Sequence, residues 1–282
     1  MHILDSIDHI ADRYDALFCD IWGVVHNGRR AYPAACAALQ RARAAGKRVI
    51  LISNVPRPRS VIPEQLAKVG APSDAWDAIV TSGDATRAAL TERAPGPVFR
   101  IGIEDYDAPL YEGLALETAP LEQARFISIT GLFRWEDTPA DYAEILRAAR
   151  ARNLEMVCAN PDIIVQAGER MLWCAGAVAR DYEKLGGRVV MAGKPFAPIY
   201  ELAYRELEAL GGAPNRARIL CIGDGVGTDV AGANRQGLDC VFIASGMHGE
   251  ALWINGRADP AKVDAVLAQE NANAAYVMAA LA

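Results

Sequence analysis

The stretch FCDIWGVVHNG, residues 18–28, carries an apolar run into a carboxylate at Asp20, sets an aromatic two places further on at Trp22 and closes on Gly28. An aspartate that ends a buried strand is either a turn or helix cap or one arm of a binding site. What the other strand ends carry decides between the two readings.

Working outward, short apolar and β-branched runs alternate with Ala/Leu/Arg-rich segments through most of the chain, the pattern of a parallel sheet with helices on its faces. Strands are expected at 16–20, 48–52, 77–81, 98–103, 125–130, 155–159, 188–191, 217–222 and 240–244. Helices are expected at 32–46, 139–153, 175–187 and 197–212, three of them stopping at glycine, and the Ala-rich 268–282 reads as a closing helix. The fold class is therefore α/β. Breaks at Pro95, Gly96 and Pro97 and at Gly186 and Gly187 bracket a middle section. The expected division is a core from 1–84 and 188–282 with an inserted α/β unit at 85–187.

At 282 residues, 52% hydrophobic and 23% charged, the chain has material for a real core and two compact units. A net charge of −6, from 35 acidic against 29 basic residues, and the lack of a Lys/Arg cluster argue against a nucleic-acid partner. Asp5, Asp8, Asp12 and Asp15 in the opening residues do not suit a signal peptide, and no run is long and apolar enough for a membrane span. A cytoplasmic protein is expected. The six cysteines form no C-x-x-C pair and read as reduced core residues.

The strand ends then supply a coherent chemistry. Past 16–20 stands Asp20; past 48–52, Ser53 and Asn54; past 188–191, Lys194; past 217–222, Asp224 and Asp229. Ligands of open α/β sheets bind beyond the carboxyl ends of the strands, so these groups can converge though distant in sequence. Two or three carboxylates make an oxygen site suited to Mg²⁺, and a hydroxyl, an amide and an ammonium supply donors for a phosphoryl group. Ser53 and Asn54 also suit helix capping. Three decoys fall away: GDGVGT (223–228) ends on threonine and would set Asp224 against a pyrophosphate, C-x₅-R at Cys174 and Arg180 lies in an alanine-rich helix, and there is no Walker loop.

FCDIWGVVHNG, LISNVPRP (51–58), CANPD (158–162), GGRVVMAGKPF (186–196) and ILCIGDGVGTDVAGANRQG (219–237) together resemble the haloacid dehalogenase superfamily of Mg²⁺-dependent phosphotransferases. Within it the likeness is to the large-cap branch of nucleotide, 4-nitrophenyl phosphate and pyridoxal phosphate phosphatases. The resemblance implies a Rossmann-like core, an inserted α/β cap, and hydrolysis of a small phosphomonoester through an aspartyl phosphate on Asp20. It implies that Ser53, Asn54 and Lys194 bind the phosphoryl group, and that Asp20, the Trp22 carbonyl, Asp224 and Asp229 hold or support Mg²⁺. Asn160, Asp162, Arg57 and His26 are candidates for substrate contact, and a homodimer through the cap is a further expectation. Where the family has a second aspartate to protonate the leaving group, this chain has Trp22. Two readings follow: either turnover persists, with His26 as a candidate acid, or the protein binds a phospho-ligand with weak or no turnover.

Overall fold

A computed structural model describes residues 1–167, 170–211, 215–246, 252–254 and 257–282. Its larger sheet has seven strands paired in parallel, in the order His2–Leu4, Tyr276–Met278, Asp239–Ile243, Ile219–Gly223, Ala16–Cys19, Arg48–Ser53 and Ala78–Thr81. Parallel strands covered on both faces need apolar side chains on both, so ALFC, the VILIS of the next strand and ILCIG are buried throughout. Leu17 and Cys19 join one core with Leu51 and Ile222, while Ala16 and Phe18 join the opposite one with Ile50 and Cys221. All six cysteines are buried and free.

The chain builds from Ala16–Cys19 through Arg48–Ser53 to Ala78–Thr81, then returns to the other side of its first central strand as Ile219–Gly223. The direction of build reverses between Ala16–Cys19 and Ile219–Gly223, which opens a crevice beyond their carboxyl ends. Asp20 and Asp224 stand at its two lips.

Between Ala78–Thr81 and Ile219–Gly223 the chain forms a second parallel sheet, ordered Arg188–Met191, Glu155–Cys158, Phe126–Ile129, Val98–Ile101. It has its own core, in which Ile127, Ile129 and Met156 meet Leu146, Val178 and Tyr182 from the helices Ala143–Ala151 and Ala175–Lys184. An α/β unit is thus inserted into an α/β core.

Four expectations are corrected. Arg188–Met191, assigned to the core by a division at 187/188, pairs with Glu155–Cys158 in the inserted sheet, because the helix Ala175–Lys184 crosses back over that strand. The chain re-enters the core only after Met191. The Ala-rich 268–282 is not a helix: Pro260–Gln269 is helical, Asn271 takes φ 49°, and the aromatic and β-branched Tyr276–Met278 becomes a buried strand. The segment 139–153 begins as a 3₁₀ turn, Pro139–Tyr142, before its α-helix. The helix expected to 212 spans Ala197–Ala209, and Gly212 lies outside the described residues. Among those residues no helix is long and apolar enough to cross a membrane.

Candidate active site

Asp20 and Asp224 directly follow neighbouring strands, and Asp229 lies on the helical turn Val226–Val230 that begins just after Asp224. One carboxylate oxygen from each of the three falls within 4.8 Å of the others, and all three residues are buried. Glycine makes this crowding possible. A Cβ on Gly23, whose φ is +85°, would lie 2.1 Å from Asp224 Oδ2, as would one on Gly246. Three hard oxygen donors closing on one point, in a site with a single ammonium, suit Mg²⁺.

That ammonium is Lys194, which is 4% exposed. Its Nζ donates to Asp20 Oδ1 at 2.5 Å and to Asp229 Oδ1 at 2.7 Å. Burial opposes the charge on Lys194, but Asp20, Asp229 and Asp162 outweigh it and hold the group protonated above its usual range. Burial pushes the Asp20 carboxyl up; Lys194 works against the rise, and Asp229 and Asp224 add to it. Bringing a cation to the three carboxylates relieves that repulsion.

Asn54 holds Lys194 in place rather than offering its amide to a ligand. Its Oδ1 accepts from the Lys194 N–H at 2.7 Å, and its Nδ2 donates to Lys194 O at 3.1 Å and to Asp162 Oδ1 at 2.8 Å, which uses both amide protons. Asn54 also lines the cavity that these groups face. Ser53 Oγ accepts from the Val55 N–H at 3.2 Å, leaving the hydroxyl proton for another acceptor.

These groups face a cavity of about 250 Å³ lined by Asp20, Ser53, Lys194, Asp224 and Asp229. A second cavity of about 290 Å³ shares Trp22, Ser53, Asp162 and Val165 with the first and extends between the two sheets. Asn160 and Asp162 line it, and the Asn160 Oδ1 accepts from the Asp162 N–H at 3.0 Å. Trp22 lines both cavities; its ring lies over Gly28 and stands edge-on to His26 at 5.0 Å between centroids.

His26 and Arg57 pack behind lining residues, Trp22 and Tyr106, and neither lines a cavity itself. His26 Nδ1 accepts from the Gly28 N–H at 2.8 Å, and burial pulls its pKa down to about 4, so it is a neutral brace for the loop. The Arg57 guanidinium lies 4.6 Å over the Tyr106 ring, tying a core loop to the inserted unit. Sequence reading passed over Tyr32, Thr228 and Ser245 in the first cavity and Tyr106, Asp107 and Thr130 in the second. Thr228 sits inside a segment already singled out, whereas Asp107 lies in an acidic helical turn with no distinguishing spacing.

A carboxylate cluster with a buried lysine at the reversal point of a parallel sheet, faced by an inserted α/β unit, defines a class of hydrolases acting on anionic groups. The haloacid dehalogenase-like hydrolase model matches residues 17–112, and a HAD-hydrolase-like model matches residues 191–269. A solved hydrolase of the haloacid dehalogenase-like family from Brucella suis 1330 is 46% identical, covers 99% of this chain and 100% of its own, and superposes with a TM-score of 0.89. Chronophin of Rattus norvegicus is 27% identical over 251 residues, 81% of this chain and 75% of that protein. The D-glycerol 3-phosphate phosphatase of Mycobacterium tuberculosis is 26% identical over 268 residues, 90% of this chain and 69% of that protein. The chain belongs to the haloacid dehalogenase-like hydrolase family.

Proposed function

We propose that the protein is a Mg²⁺-dependent phosphatase that hydrolyses a small phosphomonoester through a phosphorylated Asp20. The observation that carries this reading is the placement of Asp20 at the sheet's reversal point, bonded to Lys194 and within reach of the Asp224 and Asp229 oxygens. An Asp20 oxygen attacks phosphorus, the P–O bond to the organic group breaks, and the group leaves as an alkoxide that takes a proton from water; a second water, giving up a proton to solvent, then attacks the same phosphorus, releasing phosphate and restoring the carboxylate. Lys194 neutralises charge shared by Asp20 and the phosphoryl oxygens, and the Ser53 hydroxyl donates to one of them. Bound by Asp20, Asp224, Asp229 and the Trp22 carbonyl, Mg²⁺ would supply charge stabilisation for those oxygens. Asn160 and Asp162 border the substrate's organic half, and the unit from about 85 to 191 serves as the cap.

The name of the Mycobacterium relative, a D-glycerol 3-phosphate phosphatase, supports a phosphatase of small substrates. The test is phosphate release from 4-nitrophenyl phosphate with Mg²⁺ and with chelator, in wild type and Asp20→Asn. Release that requires both the cation and Asp20 supports the reading; equal release from Asp20→Asn would sink it.

A further inference from the structure

Only Ala192 and Gly193 separate Lys194 from the inserted sheet. The strand Arg188–Met191 runs beside Glu155–Cys158 with Met191 opposite Cys158, and the two segments leave that sheet side by side. One continues through Asn160 and Pro161 to Asp162, the other through Ala192 and Gly193 to Lys194. The ammonium of the site is therefore carried out of the inserted unit, whereas the carboxylates it meets, Asp20 and Asp229, belong to the core.

Both segments close on one side chain of the core. Asn54, buried just past the strand Arg48–Ser53, bonds the N–H and the C=O of Lys194 and the Asp162 carboxylate together. Asp162 is fixed in turn within the inserted unit. Its N–H donates to Asn160 Oδ1 at 3.0 Å, and its carbonyl accepts at 3.1 Å from the N–H of Gly176, in the first turn of the helix Ala175–Lys184. Gly193 shows how tightly the junction is closed. A Cβ there would lie 2.5 Å from Asn54 Oδ1, 2.6 Å from Ser82 Oγ and 2.8 Å from Pro161 Cδ, atoms that belong to the core, to the helix Ser82–Thr91 on the outward crossing and to the inserted unit. Packing this close passes a shift in one member on to the others.

We infer that Asp162 is a positioning residue: acting through Asn54, it fixes the backbone of Lys194, so that the ammonium meets Asp20 and the phosphoryl group only when the inserted unit is seated on the core. The inference rests on the phosphatase reading for the use to which the ammonium is put. An asparagine with its oxygen and both amide protons engaged is held in one orientation. Without the Asp162 acceptor, one buried amide proton is left unpaired, and the side chain gains by turning away from Lys194 to satisfy it. A lysine places a point charge at the end of a flexible four-carbon stem, so its head is only as well placed as its backbone. Misplacing a catalytic group by about 1 Å can cost about 10²-fold.

The test is a cycle of Asp162→Ala, Asn54→Ala and the double variant, with Asp162→Asn as the conservative control. Each is measured for kcat and KM on aryl and alkyl phosphates with different organic groups, and for binding of inorganic phosphate with Mg²⁺ by calorimetric titration, which needs no turnover. Asp162→Ala is expected to lower kcat by about 10- to 100-fold, by the same factor for every ester, and to weaken phosphate binding about tenfold. In the Asn54→Ala background the same substitution should add less than about twofold, because the path it acts through is already cut. Asp162→Asn, whose amide oxygen still accepts from Asn54, should restore most of both losses. A loss that differs between esters, or that multiplies with that of Asn54→Ala, would make Asp162 a substrate contact and overturn the inference while leaving the phosphatase reading intact. A lowered melting temperature with kcat of the folded variant unchanged would overturn it as well. The expected pattern in phosphate binding, with no ester hydrolysed by wild type, would uphold the placement of Lys194 and overturn the phosphatase reading. Should Asp162→Ala not fold, Asp162→Ser takes its place in the cycle, its hydroxyl too short to reach Asn54.

Discussion

In the proposed mechanism Trp22 stands where a carboxyl would protonate the departing alcohol, and an indole N–H is no acid at neutral pH. The rate should therefore follow the leaving group. Across aryl phosphates of graded phenol pKa the logarithm of kcat/KM is expected to fall as pKa rises, and esters of poorly acidic alcohols should lag by about 10²–10⁴-fold, the usual worth of general acid catalysis. His26→Asn is expected to leave that slope unchanged, because the ring braces the loop through Gly28 and does not line the cavity. A slope that steepens in the variant would make His26 the proton donor after all. The same residue sets a pH dependence. With a folded pKa of about 4 against an ordinary value near 6.5, the unfolded chain binds the extra proton between these limits, so His26 withdraws stability as pH falls through that window, by about 3 kcal/mol at most. Melting curves from pH 7 to pH 4 should show wild type losing stability faster than His26→Asn; parallel losses would contradict a buried neutral imidazole.

The turn from Asp20 to Gly28 works as a unit. Gly23 takes a left-handed conformation and leaves the space into which the Asp224 carboxylate projects, while its N–H donates to His26 O at 2.8 Å. Gly23→Ala is expected to cost about 1–2 kcal/mol for the conformation alone, and to displace Asp224. Calorimetric titration should find Mg²⁺ affinity at least about tenfold weaker at a modest loss of melting temperature; an unchanged affinity would mean that Asp224 is not a ligand. Much at this scale was legible in the sequence. Central strands buried on both faces announce themselves, and Asp20, Ser53, Asp224 and Asp229 were found because each ends or follows such a strand or lies in the turn after it, while Lys194 follows the half-buried edge strand Arg188–Met191. The short edge strand His2–Leu4, its equally short neighbour Tyr276–Met278 and the hairpin of Ile164–Ala167 with Arg170–Trp173 gave little warning. Their three or four residues are too few for a periodicity, and alanine beside Tyr276–Met278 favours the opposite reading. Asn54 showed its residue type but not its partners, since hydrogen bonds to Lys194 across 140 positions of chain exist only once the fold brings them together.

Taken whole, the molecule sets the carboxyl ends of two parallel sheets against each other, one supplying charge for phosphorus and the other an apolar chamber. If the unit from about 85 to 191 is a cap, its replacement by a short linker should leave a core that folds and binds Mg²⁺ but has lost discrimination among phosphate esters, which titration and a substrate panel can check. An insoluble product would argue for one indivisible domain. The central claim is that Asp20 carries the phosphoryl group. The most direct measurement is acid quenching during turnover, followed by peptide mapping for a phosphoryl group on the segment containing Asp20. The account predicts Mg²⁺-dependent labelling of Asp20 that rises and decays with substrate and is absent from Asp20→Asn; sustained phosphate release with Asp20 unlabelled, and undiminished in that variant, would contradict it.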